Sequence, residues 1–285
     1  MKNRKFLTVV LVCLLTITLF AACNGNGGND GSGGNGDSGV AAGEIDVIEL
    51  IARSAQVMQD VTEYDSTMEM DMTMEFEGEV ITTFVVVDIN AQLDPLRMKM
   101  TMIMDSPLHG MKMEIDTYAI HEGDYLLMYI HTEGMWVRQA TPFSQELMDE
   151  LMQVSTIEMM ADLVTNAEIV GEEVIRGIDT WKIEVVMSAA AMMEILQDMP
   201  GGESFVDIFS AEMLAEMDDV ASTLWIAKDG YYQIKVELDM TDAMAAMMAD
   251  TGATLTKMSM IMTSFNFGNA TPFELPPEAA DAIGL

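Results

Sequence analysis

From Thr67 to Phe76 the chain reads TMEMDMTMEF, with methionine or phenylalanine at every second position and Thr, Glu or Asp between. Successive side chains of a strand point to opposite faces, so this alternation predicts one apolar and one polar face. The pattern recurs over Leu96–Met104, which carries Met98, Met100, Met102 and Met104. Further strands are predicted at Glu79–Leu93, Met111–Tyr118, Tyr125–His131 and Met135–Gln139. Asp94-Pro95, Glu122-Gly123-Asp124 and Glu133-Gly134 separate them, and connections this short favour antiparallel neighbours. Ahead of the strands, Asp46 with Glu49 resembles a capping box, and Ile48, Ile51, Ala55 and Met58 form a helical stripe.

Helical periodicity takes over after Thr141-Pro142. Leu147, Met148, Leu151 and Met152 share a face, as do Ile157, Met160 and Val164. Strands return at Glu168–Glu173 and Thr180–Met187, with a turn at Arg176-Gly177. Helices are predicted at Ala189–Met199 and Phe205–Met217, and a short one over Asp242–Asp250. The last strands are Ala221–Ala227, Tyr231–Met240 and Thr254–Phe267. The expected fold class is α+β, one strongly curved antiparallel sheet of about 10–11 strands, because a sheet of that size must curl and cover its inner face. The Ile48 helix and the Leu147–Val164 segment are expected on the concave face. Met68 to Phe76 should point inward there, and Glu69, Asp71 and Glu75 outward to water.

The N-terminus changes the setting. Lys2, Arg4 and Lys5 precede an uncharged, mostly apolar core from Phe6 to Phe20, followed by Ala21, Ala22 and Cys23. That core is shorter than the roughly 20 residues of a membrane-spanning helix and reads as a signal peptide. Leu19-Phe20-Ala21-Ala22-Cys23 resembles the lipobox of bacterial lipoproteins. The resemblance implies cleavage after residue 22, diacylglyceryl attachment at Cys23 and a lipid-anchored place on the extracytoplasmic face of the cell membrane. An ordinary secretory peptide with an incidental cysteine is the alternative. Residues 23–44 hold NGNGGNDGSGGNGDSG, which buries nothing and would serve as a flexible tether of about 25 Å reach. Residues 45–285 would form one domain.

Charge narrows the partners. Loss of Lys2, Arg4 and Lys5 would take the formal net charge from −34 to −37. That balance argues against nucleic acid and against lying flat on an anionic membrane, which leaves anchoring to the lipid. His109, His121 and His131 lack metal-ligand spacing, and no nucleophile elbow, phosphate loop or dinucleotide fingerprint occurs. No catalytic residue, metal or cofactor is expected, and the chain does not read as an enzyme.

The 31 methionines remain. Methionine is not a favoured strand residue, so either it fills a core or it lines a deformable cavity for apolar ligands. Cu(I) binding is the least of the readings. Residues i and i+2 on a strand lie nearly 7 Å apart, too far for one strand to chelate, and the methionines are spread along the sequence.

Two stretches carry a family resemblance. The run from Ala167 to Ile183, AEIVGEEVIRGIDTWKI, is similar to a strand pair of the LolA and LppX/LprG-like half-barrel lipoproteins. Leu224-Trp225-Ile226-Ala227-Lys228-Asp229-Gly230-Tyr231 is similar to their "W-I-D" hairpin, with Ala227 in place of the usual aspartate. The pattern also resembles Met-rich lipoproteins of Gram-positive bacteria. The resemblance implies a half-barrel that binds or carries a lipid or other apolar molecule. Sensors of the envelope share that fold, so an envelope protein as partner is the alternative. The expected cavity lining is Met68, Met70, Met72, Met74, Phe76, Met98, Met100, Met102, Met104, Met160 and Trp181.

Overall fold

A computed structural model describes residues 46–76, 78–106, 111–132, 134–143, 164–188, 219–248 and 253–284. Helix α1 (Val47–Gln59) starts at Asp46, whose carboxylate accepts from the N–H groups of Ile48 and Glu49 at 3.0 and 3.2 Å. Such a cap satisfies donors that the first helical turn leaves free. Six strands follow: β1 (Glu63–Phe76), β2 (Glu79–Leu93), β3 (Leu96–Ser106), β4 (Met111–Glu122), β5 (Tyr125–Thr132) and β6 (Met135–Pro142). Beyond them come β7 (Val164–Ile175), β8 (Ile178–Met187), β9 (Val220–Ala227), β10 (Gln233–Asp239), α2 (Thr241–Met248), β11 (Ala253–Phe265) and β12 (Ile283–Gly284).

All the strands belong to one long, open, curved sheet in the order β12-β6-β5-β4-β3-β2-β1-β11-β10-β9-β8-β7. Each wing is a local meander, and the wings join at the centre where β1 pairs with β11, for example Met68 opposite Met262. The hairpin turns follow the residues present. Arg176 and Gly177 both have positive φ, 52° and 85°, as a two-residue turn requires. Gly230 is also at positive φ, 78°, and a Cβ there would come within 2.8 Å of the Tyr232 ring.

The structure corrects three expectations. The sheet has 12 strands. The extra one, β12, is a two-residue parallel pairing with β6, too short to leave an alternation in the sequence. Val164 opens β7 and pairs with Met187, so it belongs to a strand and not to the end of a helix. β10 begins at Gln233 because Tyr231, at φ 60°, still belongs to the turn. The rest of the Leu147–Val164 segment, and the helices expected at Ala189–Met199 and Phe205–Met217, lie outside the described residues. The Asp242–Asp250 helix is α2, which begins one residue earlier.

After β11 the chain turns back across the sheet. Asp65, buried on β1, accepts from Asn90 Nδ2 (2.9 Å), Asn266 Nδ2 (2.7 Å), Thr271 Oγ1 (2.6 Å) and the Thr271 N–H (3.0 Å). Burial alone would raise this carboxyl, but the donors from Thr271, Asn90 and Asn266 outweigh it and hold the pKa below the usual 3.8. Phe273 then meets Tyr118, with ring centroids 6.1 Å apart, and the Arg97 guanidinium lies 5.4 Å from the Phe273 ring. A 3₁₀ turn at Pro277–Asp281, with Ala279 buried, leads to β12. The C-terminal segment is thus a strap from the centre of the sheet to its β6 edge.

Candidate apolar ligand-binding face

Cross-strand partners share a face, so the register shows what each face is made of. One row runs Ile169, Ile183, Leu224, Val236, Met262, Met68, Val87, Met102, Ile115, from β7 through the centre to β4. Every member is apolar. The adjacent row, on the opposite face, runs Lys182, Trp225, Lys235, Thr263, Thr67, Asp88, Thr101, Asp116, His131, Trp136. Here Thr67 donates to Asp88 at 2.9 Å and Thr101 to Asp116 at 2.7 Å, and Lys235 lies 4.0 Å from the Trp225 ring centroid. Alternation sorts the two chemistries almost completely between the faces.

Two packed groups make up the apolar face. The central one contains Met68, Met70, Met102, Met104, Met258, Met260 and Met262 with Val85, Val87 and Ile89 of β2. Met72, Met74, Met98 and Met100 pack against it while staying half-buried. Met240 and Met244 do the same. Burial therefore fades along β1, from Met68 at 0% exposure to Phe76 at 40%. The second group joins Leu50 and Ile51 of α1 to Ile183, Val185, Leu224 and Ile226. Trp181 belongs here, half-buried and stacked on Tyr231 with centroids 6.0 Å apart, and Arg53 covers Tyr231 at 3.8 Å.

The expected lining residues are thus divided. The methionines of β1 and β3 come together, Phe76 sits at the exposed end of the same face, and Trp181 lies in the other group. Met160 and Cys23 lie outside the described residues. Sequence reading missed Met258, Met260 and Met262 as lining, although the alternation over Thr254–Phe267 carried the signal. On the polar face Glu69 and Glu75 are exposed, while Asp71 is half-buried with the Lys257 ammonium 2.7 Å away.

Three polar atoms interrupt the apolar face. Ser54 Oγ on α1, Ser222 Oγ on β9 and His121 Nε2 on β4 are buried and have no hydrogen-bond partner among the described residues. Ser222 lies between Val185 and Leu238, and His121, opposite Leu126, packs edge-on to Phe143 at 5.3 Å. Among the described residues no three His, Cys, Asp or Glu side chains are grouped as for a metal ion, and no helix is long and apolar enough to cross a membrane. The arrangement is an apolar face with a few isolated buried polar atoms.

Residues 46–283 match the model described as "Family of unknown function (DUF6612)", and the chain belongs to that family. No curated protein matches it at a significant level. Solved structures similar to it include two lipoproteins and a putative lipoprotein-sorting protein domain. The chain is similar to the Mycobacterium tuberculosis lipoprotein LppX, with TM-score 0.45 and 16% identity over 81% of this chain and 98% of that one. It is similar to LprF from Mycobacterium bovis, with TM-score 0.40 and 15% identity over 80% and 97%. A putative outer membrane lipoprotein-sorting protein domain from Vibrio parahaemolyticus gives TM-score 0.24 and 13% identity over 82% and 95%. Likenesses of this strength carry no functional argument, which is left to the register and burial of the chain's own residues.

Proposed function

We propose that this chain is a membrane-anchored, extracytoplasmic lipoprotein that binds a lipid or other long apolar molecule against its Met-bearing face. In this reading Cys23 carries the diacylglyceryl group, residues 24–44 are the tether, and the apolar face is the concave side of the sheet. The observation that carries it is the unbroken apolar row from Ile169 to Ile115, together with the fading of burial along β1 from Met68, fully buried, to Met72 and Met74, half-buried. Methionine side chains are flexible and polarizable, so such a lining adapts to irregular acyl chains. Ser54, Ser222 and His121, without hydrogen-bond partners among the described residues, would give a ligand's polar end something to bond. The lipobox-like run and the half-barrel motifs support the location and the ligand class. The role is binding or carriage, without catalysis.

The test is native mass spectrometry with solvent extraction of a Cys23-free form purified from its own host. A bound acyl-chain species is expected. It should be lost when Met70, Met72, Met100 and Met102 are replaced together by phenylalanine. An interior with nothing bound, and no uptake of fluorescent fatty-acid probes, would overturn the reading. Capture of a single envelope protein by crosslinking, with the interior empty, would point to a sensor instead. For the anchor, Cys23→Ser should release the protein from membranes or stall its precursor.

A further inference from the structure

The sheet brings together thioethers that the sequence keeps far apart. Three successive cross-strand pairs at its centre are methionine on methionine: Met68 with Met262, Met70 with Met260, and Met72 with Met258. Directly opposed residues have Cβ atoms about 4.5–5.5 Å apart, so two flexible side chains can converge on one point, as i and i+2 on one strand cannot. α2 closes this end. Asp239 accepts from the Thr241 N–H at 3.0 Å, Thr241 Oγ1 accepts from the Met258 N–H at 2.9 Å, and the Met240 N–H donates to the Met258 carbonyl at 2.9 Å. Those bonds set Met240 and Met244 against the same group.

We propose that Met70, Met72, Met258 and Met260, joined by Met240 and Met244, form a binding site for a soft monovalent cation, Cu(I). Neutral thioethers are soft donors that favour Cu(I) over Zn²⁺, Ca²⁺ or Mg²⁺, and the site includes no carboxylate to favour a hard ion. Met72, Met240 and Met244 are half-buried and give access from solvent, while Met70, Met258 and Met260 are buried and supply a dry inner shell. Packing alone does not call for sulfur at this point. On the same face the β2 neighbours of Met70 and Met72 are Val85 and Thr83, β-branched residues that suit a pleated surface. The strongly negative chain, at −34, would raise the local concentration of cations. The site shares Met70 and Met72 with the proposed lipid-binding face, but metal binding needs no lipid, and a chain that carries none can still hold the metal.

The test uses the full chain with Cys13→Ser and Cys23→Ser, so that no thiol competes, purified in detergent. Titrated anaerobically against Cu(I)–bicinchoninate, it should remove one equivalent of metal. The variant Met70→Leu/Met72→Leu/Met258→Leu/Met260→Leu, which nearly conserves volume, should bind at least tenfold more weakly. Met98→Leu/Met128→Leu, on the same face but on β3 and β5, should bind as the parent does. A second measurement needs no altered methionine: Ag(I) should slow peroxide oxidation of Met72, Met240 and Met244, but not of Met98, in peptide mass spectra. Metal left wholly on the chelator, equal loss in the two leucine variants, or no selective protection by Ag(I) would overturn the site.

Discussion

The two halves of the apolar face solve the same burial problem with different side chains. Under α1 the face is made of Ile183, Val185, Leu224 and Ile226, which meet Leu50 and Ile51. At the centre it is made of methionines on β1, β3 and β11, with Val and Ile confined largely to β2. Branched side chains have few rotamers and hold one shape, as a helix docked on a sheet requires. Methionine has three rotatable bonds and can refill its space around a guest. The halves are also backed from opposite sides. α1 lies on the apolar face of β8 and β9, whereas the strap from Asn266 to Gly284 crosses the polar face behind β1 to β6. One half is stiffened from within and the other, apart from α2 at its β11 end, from behind, which leaves much of the methionine surface adaptable.

Large-to-small substitution should expose that difference most strongly. Ile226→Ala, which removes a fully buried side chain under α1, should cost about 2–5 kcal/mol by urea denaturation. Met68→Leu, equally buried at the centre, should cost less than about 1.5 kcal/mol because volume is nearly conserved and its neighbours can shift. Equal costs for Ile226→Leu and Met68→Leu would erase the distinction between a shaped half and an adaptable one.

The strap is the next point to break. Asp65→Ala leaves the donors of Asn90, Asn266 and Thr271 without their acceptor and should cost about 2–4 kcal/mol at pH 7. Because the folded pKa lies below the unfolded one, Asp65 contributes fully above about pH 4 and loses its contribution as pH falls through the folded value. Urea midpoints at pH 7 and pH 3 should therefore converge between the parent and Asp65→Asn. Hydrogen exchange should rise in β12 and at Phe273 before it rises in β8 or β9.

A smaller effect is expected at the margin of the α1 half. Arg53→Ala removes the guanidinium over Tyr231 and should cost about 0.5–1 kcal/mol, with a change in the near-ultraviolet signal of the Trp181–Tyr231 stack. The smallest should come from Lys257→Ala. Its ion pair with Asp71 is exposed to solvent and should contribute under about 1 kcal/mol, falling further with added salt.

Much of the molecule is legible in its pattern of apolar and polar residues. Eleven of the strands, the Asp46 cap and the inward side of Met68 and Met70 follow from alternation, turn residues and capping chemistry, because each depends on neighbours a few positions away. The acidic outer face of β1 is legible for the same reason, at Glu69 and Glu75. What no local pattern contains is the join at the centre. Asp65 and Thr271, like Met68 and Met262, are distant in sequence, and only the closing of β1 on β11 brings them together. That pairing turns methionines spread over the sequence into opposed pairs, lets a tail without periodicity dock on a buried carboxylate, and places Trp181 under α1 rather than among the methionines. Alternation sorts side chains between two faces, but long-range register decides which of them meet.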